Sequence, residues 1–134
     1  MYFNLSYKYK YKPPFFLAES RTSGGTYGDI AQYGIRRVGK CAFYKCKSLR
    51  GVDLKSAVEI GRSAFYQCQN LESIEFGDKL ETVGQSAFHG CSSLEHLKLT
   101  SIVTIEAAAF AECTRLTDVE FSERLEAYIY ILGL

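Results

Sequence analysis

The stretch that decides the fold is IGRSAFYQCQNLESIEF, residues 60–76. In its second half, Ile74 and Phe76 alternate with polar residues, which is the period of a strand buried on one face. In its first half, Ala64 and Cys68 stand four residues apart, which is typical of one helical or 3₁₀ turn. The stretch therefore predicts a short turn element followed by a half-buried strand.

The same pattern occurs four times along the chain. An Ala-Phe pair marks each copy, and the pairs recur at intervals of 22, 23 and 22 residues. A glycine precedes the pair in three copies, and Glu106 takes its place in the fourth. Such self-similarity predicts a solenoid in which each copy is one coil and the strands form a parallel sheet on one side. The predicted structural ladder of its interior is Phe43, Phe65, Phe88, Phe110, Cys46, Cys68, Cys91 and Cys113.

These motifs resemble those of a known family. The run LESIEF, residues 71–76, with its period of 22 to 23, resembles the leucine-rich repeat, and residues 60–76 are similar to its BspA-like subtype. The resemblance covers about residues 35–125. It implies an α/β fold, a right-handed β-α superhelix of about four repeats with a parallel sheet on the concave face, used for binding and not for catalysis.

The chain divides into three parts. Residues 1–34 are predicted to be an N-terminal extension or cap, residues 35–127 the solenoid, and residues 128–134 an apolar C-terminal end with an incomplete repeat. In the first part, YKYKYK at residues 7–12 suits a strand that covers the first coil. The competing reading is a basic contact with nucleic acid or membrane, although three lysines give only a short electrostatic footprint.

The carboxyl end, AYIYILGL at residues 127–134, does not continue the repeat. Solenoids need polar end caps, because a bare terminal coil exposes its core. The sequence therefore predicts self-association through this end, as a homo-oligomer, or an origin as a fragment of a longer repeat protein.

The composition and charge of the chain limit the kinds of partner and the cell compartment that we expect. The net charge is +1, with 16 basic and 15 acidic residues, so no global field favours nucleic acid or an anionic membrane. The longest apolar run, YIYILGL, is too short to span a membrane. No secretory signal is recognised, and five cysteines is an odd number, which favours the reducing cytoplasm.

The regular cysteines allow several interpretations. Zinc is disfavoured because Cys41 and Cys46 are the one close pair and other ligands lie 22 or more residues away. Cysteines on adjacent coils would lie about 5 Å apart, which permits disulfides that a reducing compartment disfavours. Neither His89 nor His96 occupies the position in the repeat that the cysteines hold, so the sequence shows no repeated pairing of a nucleophile with a base. We expect no enzyme, no cofactor and no metal, with Cys68 filling space, so that Cys68→Ser would bury a poorly paired hydroxyl.

The outward side chains of the predicted sheet are the candidate ligand surface. Lys98 is expected to lie between Glu75 and Glu120 and to neutralise both. A protein or peptide, preferably basic, is the expected partner on this concave face; the alternative is a solvated face on a structural scaffold. Tyr44 and Tyr66 mark a second exposed surface on the turn side. The candidate ligand-binding residues are Asp53, Ser73, Glu75, His96, Lys98, Asp118 and Glu120.

Overall fold

The structure, a computed structural model, describes residues 35–125 together with the backbone of two short strands nearer the amino terminus. The expectations for residues 7–12 and for the apolar end at residues 128–134 lie outside the described residues. In the described part, four coils follow one another, at residues 37–54, 59–76, 82–99 and 104–121. We number them coils 1 to 4.

Each coil contributes a two-residue strand and a four-residue strand. The short strands β3, β5, β7 and β9 pair in parallel and form the narrow sheet, which β2 and β1 extend in antiparallel fashion. The four-residue strands form two parallel pairs, β4 with β6 and β8 with β10, whose outward side we call the wide face. In chain order the strands are β1 (Tyr2–Phe3), β2 (Ala18–Glu19), β3 (Arg37–Val38), β4 (Gly51–Leu54), β5 (Glu59–Ile60), β6 (Ser73–Phe76), β7 (Thr82–Val83), β8 (His96–Leu99), β9 (Thr104–Ile105) and β10 (Asp118–Phe121).

The segment that joins each narrow strand to the wide strand is a series of tight turns. The predicted helical turn and the β-α detail are not confirmed, because residues 35–125 contain no helix. The reason lies in the backbone donors. The Ala42 N–H donates to the Gly39 carbonyl within its own coil, whereas the Phe43 N–H donates to the Ala64 carbonyl of the next coil at 2.6 Å. A helix would keep both bonds within itself, so sharing donors with the neighbouring coil excludes it.

Two residues in every coil hold the left-handed backbone conformation that this turn series requires. One is the small residue before the Ala-Phe pair, and the other directly precedes the repeated cysteine. Gly90 is the one glycine among them. For the other seven residues the left-handed conformation is unfavourable by about 1 kcal/mol each. The eight are Cys41, Lys45, Ser63, Gln67, Ser86, Gly90, Ala108 and Glu112, with φ between 54° and 74°.

The interior is built on a column of stacked phenylalanine rings, one from each coil. Phe43 and Phe65 have centroids 4.9 Å apart, Phe65 and Phe88 5.1 Å, and Phe88 and Phe110 5.3 Å, with the rings within 5° of parallel. All four side chains are buried. Stacking neighbouring coils thus buries a continuous apolar column that one coil alone would leave exposed.

The wide strands do not form one continuous sheet. Within residues 35–125, β6 and β8 lie side by side but do not pair. The segment between β6 and β7, residues 77–81, is one residue longer than the corresponding segments 55–58 and 100–103, which gives the 23-residue interval, and β6 ends on Phe76. The Phe76 ring is only partly buried and meets Phe88 edge-on at 6.1 Å. The longer segment after β6 accompanies this separation of β6 from β8.

Candidate functional site

All seven predicted ligand-binding residues are exposed on the wide face. The strand register aligns them in pairs, Asp53 opposite Glu75 on β4 and β6, and Lys98 opposite Glu120 on β8 and β10. Because β6 and β8 do not pair, the wide face has two halves, and the predicted residues divide between them. Asp53, Ser73 and Glu75 stand on the first half, and His96, Lys98, Asp118 and Glu120 on the second.

On the first half, Lys55 neutralises the acidic pair. Its Nζ lies 2.7 Å from Glu75 Oε2, and its backbone N–H donates to Asp53 Oδ1 at 3.1 Å. The hydrogen bond to Glu75, then the charges of Glu75 and Asp53, raise the pKa of Lys55 above its ordinary value. The sequence reasoning missed Lys55, which directly follows β4 and reaches across to the neighbouring coil.

On the second half, Lys98 Nζ lies 3.8 Å from Glu120 Oε1. Lys98 therefore forms an ion pair with Glu120, whereas Glu75 forms one with Lys55. This corrects the expectation that Lys98 neutralises both carboxylates. The physical reason is the separation of β6 from β8, which removes the regular strand spacing on which that expectation depended.

A second charge cluster borders the same half. His96 Nδ1 lies 3.4 Å from Asp118 Oδ2, and its Nε2 lies 3.8 Å from Glu95 Oε2. Arg115 makes a close ion pair with Glu95 from the next coil. Over the two strand pairs and Lys55, four carboxylates stand against two lysines, so the wide face carries an excess of acidic groups.

The repeated cysteines make a ladder of hydrogen bonds inside the solenoid. The thiols of Cys68, Cys91 and Cys113 donate to the phenylalanine carbonyl of the preceding coil, at 2.9, 3.1 and 3.0 Å. For Cys68 the acceptor is Phe43. This corrects the reason given for the cost of Cys68→Ser, because a serine hydroxyl would face the same carbonyl. The substitution still shortens the side chain and so weakens packing.

Burial keeps these thiols protonated. It raises the pKa of Cys46 to about 11 and the pKa of Cys68 and Cys113 to about 12, and it raises that of Cys91 further. A thiol acts as a nucleophile or metal ligand only as the thiolate. All five cysteines are free, and in the described part of the chain no group of three His, Cys, Asp or Glu side chains is arranged to hold a metal.

The second predicted surface, on the turn side, is an aromatic column. The Tyr44 and Tyr66 rings stack with centroids 5.0 Å apart, and Tyr66 stacks on His89 at 4.8 Å. All three rings are partly buried. His89 Nε2 also lies 3.5 Å from Glu112 Oε2. These tyrosines are therefore engaged with their neighbours along the coils and are less available as interface anchors than the sequence alone indicates.

The stacked parallel coils, the buried phenylalanine column and the exposed polar face define a solenoid repeat protein of the leucine-rich repeat class. The chain belongs to the BspA type leucine rich repeat family, whose model matches residues 30–130 in six copies. Proteins of this class typically serve in protein interaction or as repeat scaffolds, and the family is generally noncatalytic. A search of the curated proteins found no match.

Solved structures of bacterial leucine-rich repeat proteins are similar to this chain. One from Bacteroides capillosus has a TM-score of 0.59 and 25% identity over 66% of this chain and 64% of its own. One from T. pallidum has a TM-score of 0.55 and 27% identity over 75% of this chain and 55% of its own. This chain thus spans less than two thirds of either protein. No helix in the described residues has the length and apolar character to cross a membrane.

Proposed function

We propose that this chain is a noncatalytic interaction module that binds a protein or peptide on its wide face. The supporting observation is the ordered display of Asp53, Glu75, Lys98 and Glu120, all exposed on strands whose alternate side chains are buried or partly buried in the interior. A face fixed in this way loses little conformational entropy when it binds. We take this face to be the concave face of the solenoid, as in the resemblance that the sequence indicates.

The chemistry of the face favours a basic partner. Its four strand carboxylates are Asp53, Glu75, Asp118 and Glu120, and the lysines beside them are Lys55 and Lys98. Their ion pairs are exposed and screened by solvent, so they contribute little to the stability of the fold. A lysine or arginine of the partner can therefore displace one at little cost, and charge complementarity then accelerates and orients the encounter.

We propose that the N-terminal part is a cap and that the solenoid extends over residues 35–127. The support is backbone pairing. Strand β2 pairs antiparallel with β3, placing Ala18 opposite Val38 and Glu19 opposite Arg37, and β1 pairs with β2 in turn. These pairings cover the edge of the narrow sheet that coil 1 would otherwise leave unpaired.

Charge reversal tests the binding face. Glu75→Lys with Glu120→Lys is expected to abolish capture of a partner that the unaltered chain retains from its native lysate, because the reversed face repels a basic surface. The matched control is Glu81→Lys with Glu112→Lys, which makes the same charge change at exposed positions off the wide strands. Pull-down followed by mass spectrometry measures capture. Equal capture by both double variants would contradict the proposal, provided that circular dichroism shows both folded.

The alternative function is structural, through association at the last described coil. Leu116 and Val119 of coil 4 are only partly buried, whereas Leu94 and Leu97, their counterparts in coil 3, are buried. Exposed apolar surface of this kind favours contact with a second copy. Light scattering behind a sizing column is expected to give about twice the mass of 15.1 kDa, and Val119→Lys is expected to restore the monomer mass. A monomer at high concentration would exclude this association.

A further inference from the structure

Glu106 shows how the solenoid uses a carboxylate outside the wide face. It stands in coil 4 at the position that a glycine holds in the other coils. Its Oε2 accepts the backbone N–H of Gln85, in coil 3, at 2.8 Å. The chain thus satisfies one backbone donor of the turn series with a carboxylate that the following coil supplies.

The same donor occurs in coil 1 without that carboxylate. Lys40 holds the repeat position of Gln85, and the following coil offers Gly61 where coil 4 offers Glu106. Among residues 35–125, no acceptor lies within hydrogen-bonding distance of the Lys40 N–H. A Cβ atom at residue 61 would lie 2.9 Å from the Lys40 nitrogen. Glycine at residue 61 therefore leaves this N–H uncovered.

A basic cleft of about 310 Å³ lies at this point. Arg37, Lys40 and Arg62 line it together with Glu59, and Arg37 Nε is 3.4 Å from Glu59 Oε2. Among residues 35–125, three cations and one carboxylate thus line the cleft, and the exposed ion pair offsets only part of the positive charge of these residues. The cleft volume is at the lower end of the range for small-molecule sites.

The cations of the cleft belong to coil 1, with Arg37 and Lys40, and to coil 2, with Arg62 beside Glu59. The repeat positions of Arg37 and Lys40 hold Thr82 and Gln85 in coil 3, which are neutral. The cations are thus present where the carboxylate is missing and absent where Glu106 provides one. This complementarity indicates that the cleft is suited to an anion from outside the chain.

We propose that the cleft beside Gly61 binds a small dicarboxylate. One carboxylate accepts the Lys40 N–H, as Glu106 accepts that of Gln85, and the side chains of Arg62 and Lys40 hold the charge. Backbone donors combined with a charged side chain give short, strong hydrogen bonds to a carboxylate. This site lies on the narrow-sheet side and is separate from the wide face.

Nuclear magnetic resonance of the ¹⁵N-labelled full chain, titrated with succinate at low ionic strength and pH 7, tests the site. The Lys40 amide resonance is expected to shift and saturate, whereas the Gln85 amide, already bonded to Glu106, stays in place. Arg62→Gln is expected to weaken succinate binding about tenfold through loss of one charge-assisted bond. Arg115→Gln, the same charge change on coil 4, is expected to leave the affinity unchanged.

Several outcomes would overturn the proposal. These are a Lys40 shift that does not saturate, equal movement of Gln85, or equal affinity in the Arg62→Gln variant. If Arg62→Gln does not fold, Lys40→Gln replaces it as the test variant, since it introduces the residue that coil 3 carries at this position. Tighter binding of inorganic phosphate than of succinate would overturn the assignment to a dicarboxylate.

Discussion

Phe65→Ala is expected to lower the free energy of unfolding by about 4 kcal/mol, the largest effect of any single change considered. The Phe65 ring is fully buried and lies between the rings of Phe43 and Phe88, at 4.9 and 5.1 Å. Truncation leaves a cavity at the centre of the column and removes both stacking contacts. A domain of this size is typically stable by about 5 to 15 kcal/mol, so this loss is a large part of the total.

Urea denaturation followed by circular dichroism measures the loss. The matched control is Tyr66→Phe, which alters the adjacent ring of the partly buried column but keeps its stacking on Tyr44 and His89. This control is expected to change stability by less than about 0.5 kcal/mol. If Phe65→Ala cost no more than Tyr66→Phe, the phenylalanine column would not be the core of the solenoid.

Alkaline pH is expected to destabilise the fold through the buried thiols. Burial raises the pKa of Cys68 and Cys113 to about 12 from an ordinary 9.0, and raises that of Cys91 further. Above pH 9 the unfolded chain loses these protons while the folded chain keeps them, so stability falls as pH rises. Between pH 8 and pH 10 each thiol is expected to remove about 1.4 kcal/mol, or about 4 kcal/mol for the three.

Denaturation midpoints taken from pH 7 to pH 10 under reducing conditions measure this dependence. The expected profile is flat below pH 8, because both states then hold the proton. Cys91→Ala lowers stability at every pH, but its slope above pH 9 is expected to be shallower by one proton. Cys41→Ala, the same substitution at a partly exposed position, serves as the control for loss of a thiol as such. An unchanged slope in Cys91→Ala would show that its thiol is not protected by burial.

The repeat could be predicted from the sequence because burial acts at fixed positions. Phe43, Phe65, Phe88 and Phe110 must each fill the same place in successive coils, so the sequence repeats a residue type there. The same argument identifies which strand residues face outward, since side chains alternate along a strand. Period, solenoid architecture and the exposed positions of the wide face all follow from this one constraint.

The remaining features depend on contacts between coils that no local period records. The narrow strands are two residues long, too short to show alternation. The turn series looked helical because Ala64 and Cys68 have helical spacing, yet its donors divide between coils. Lys55, the partner of Glu75, stands outside the strand pattern. The uncovered N–H of Lys40 emerges only from comparing coils in space.

The central proposal, binding on the wide face, is tested most directly by mapping a basic peptide on the ¹⁵N-labelled chain. Titration with oligo-lysine is expected to shift amides of β4, β6, β8 and β10 and to saturate, with the largest changes near Glu75 and Glu120. The Glu75→Lys with Glu120→Lys variant is expected to lose these shifts. Shifts centred on the turn-side column of Tyr44, Tyr66 and His89, or shifts that survive the charge reversal, would contradict the account.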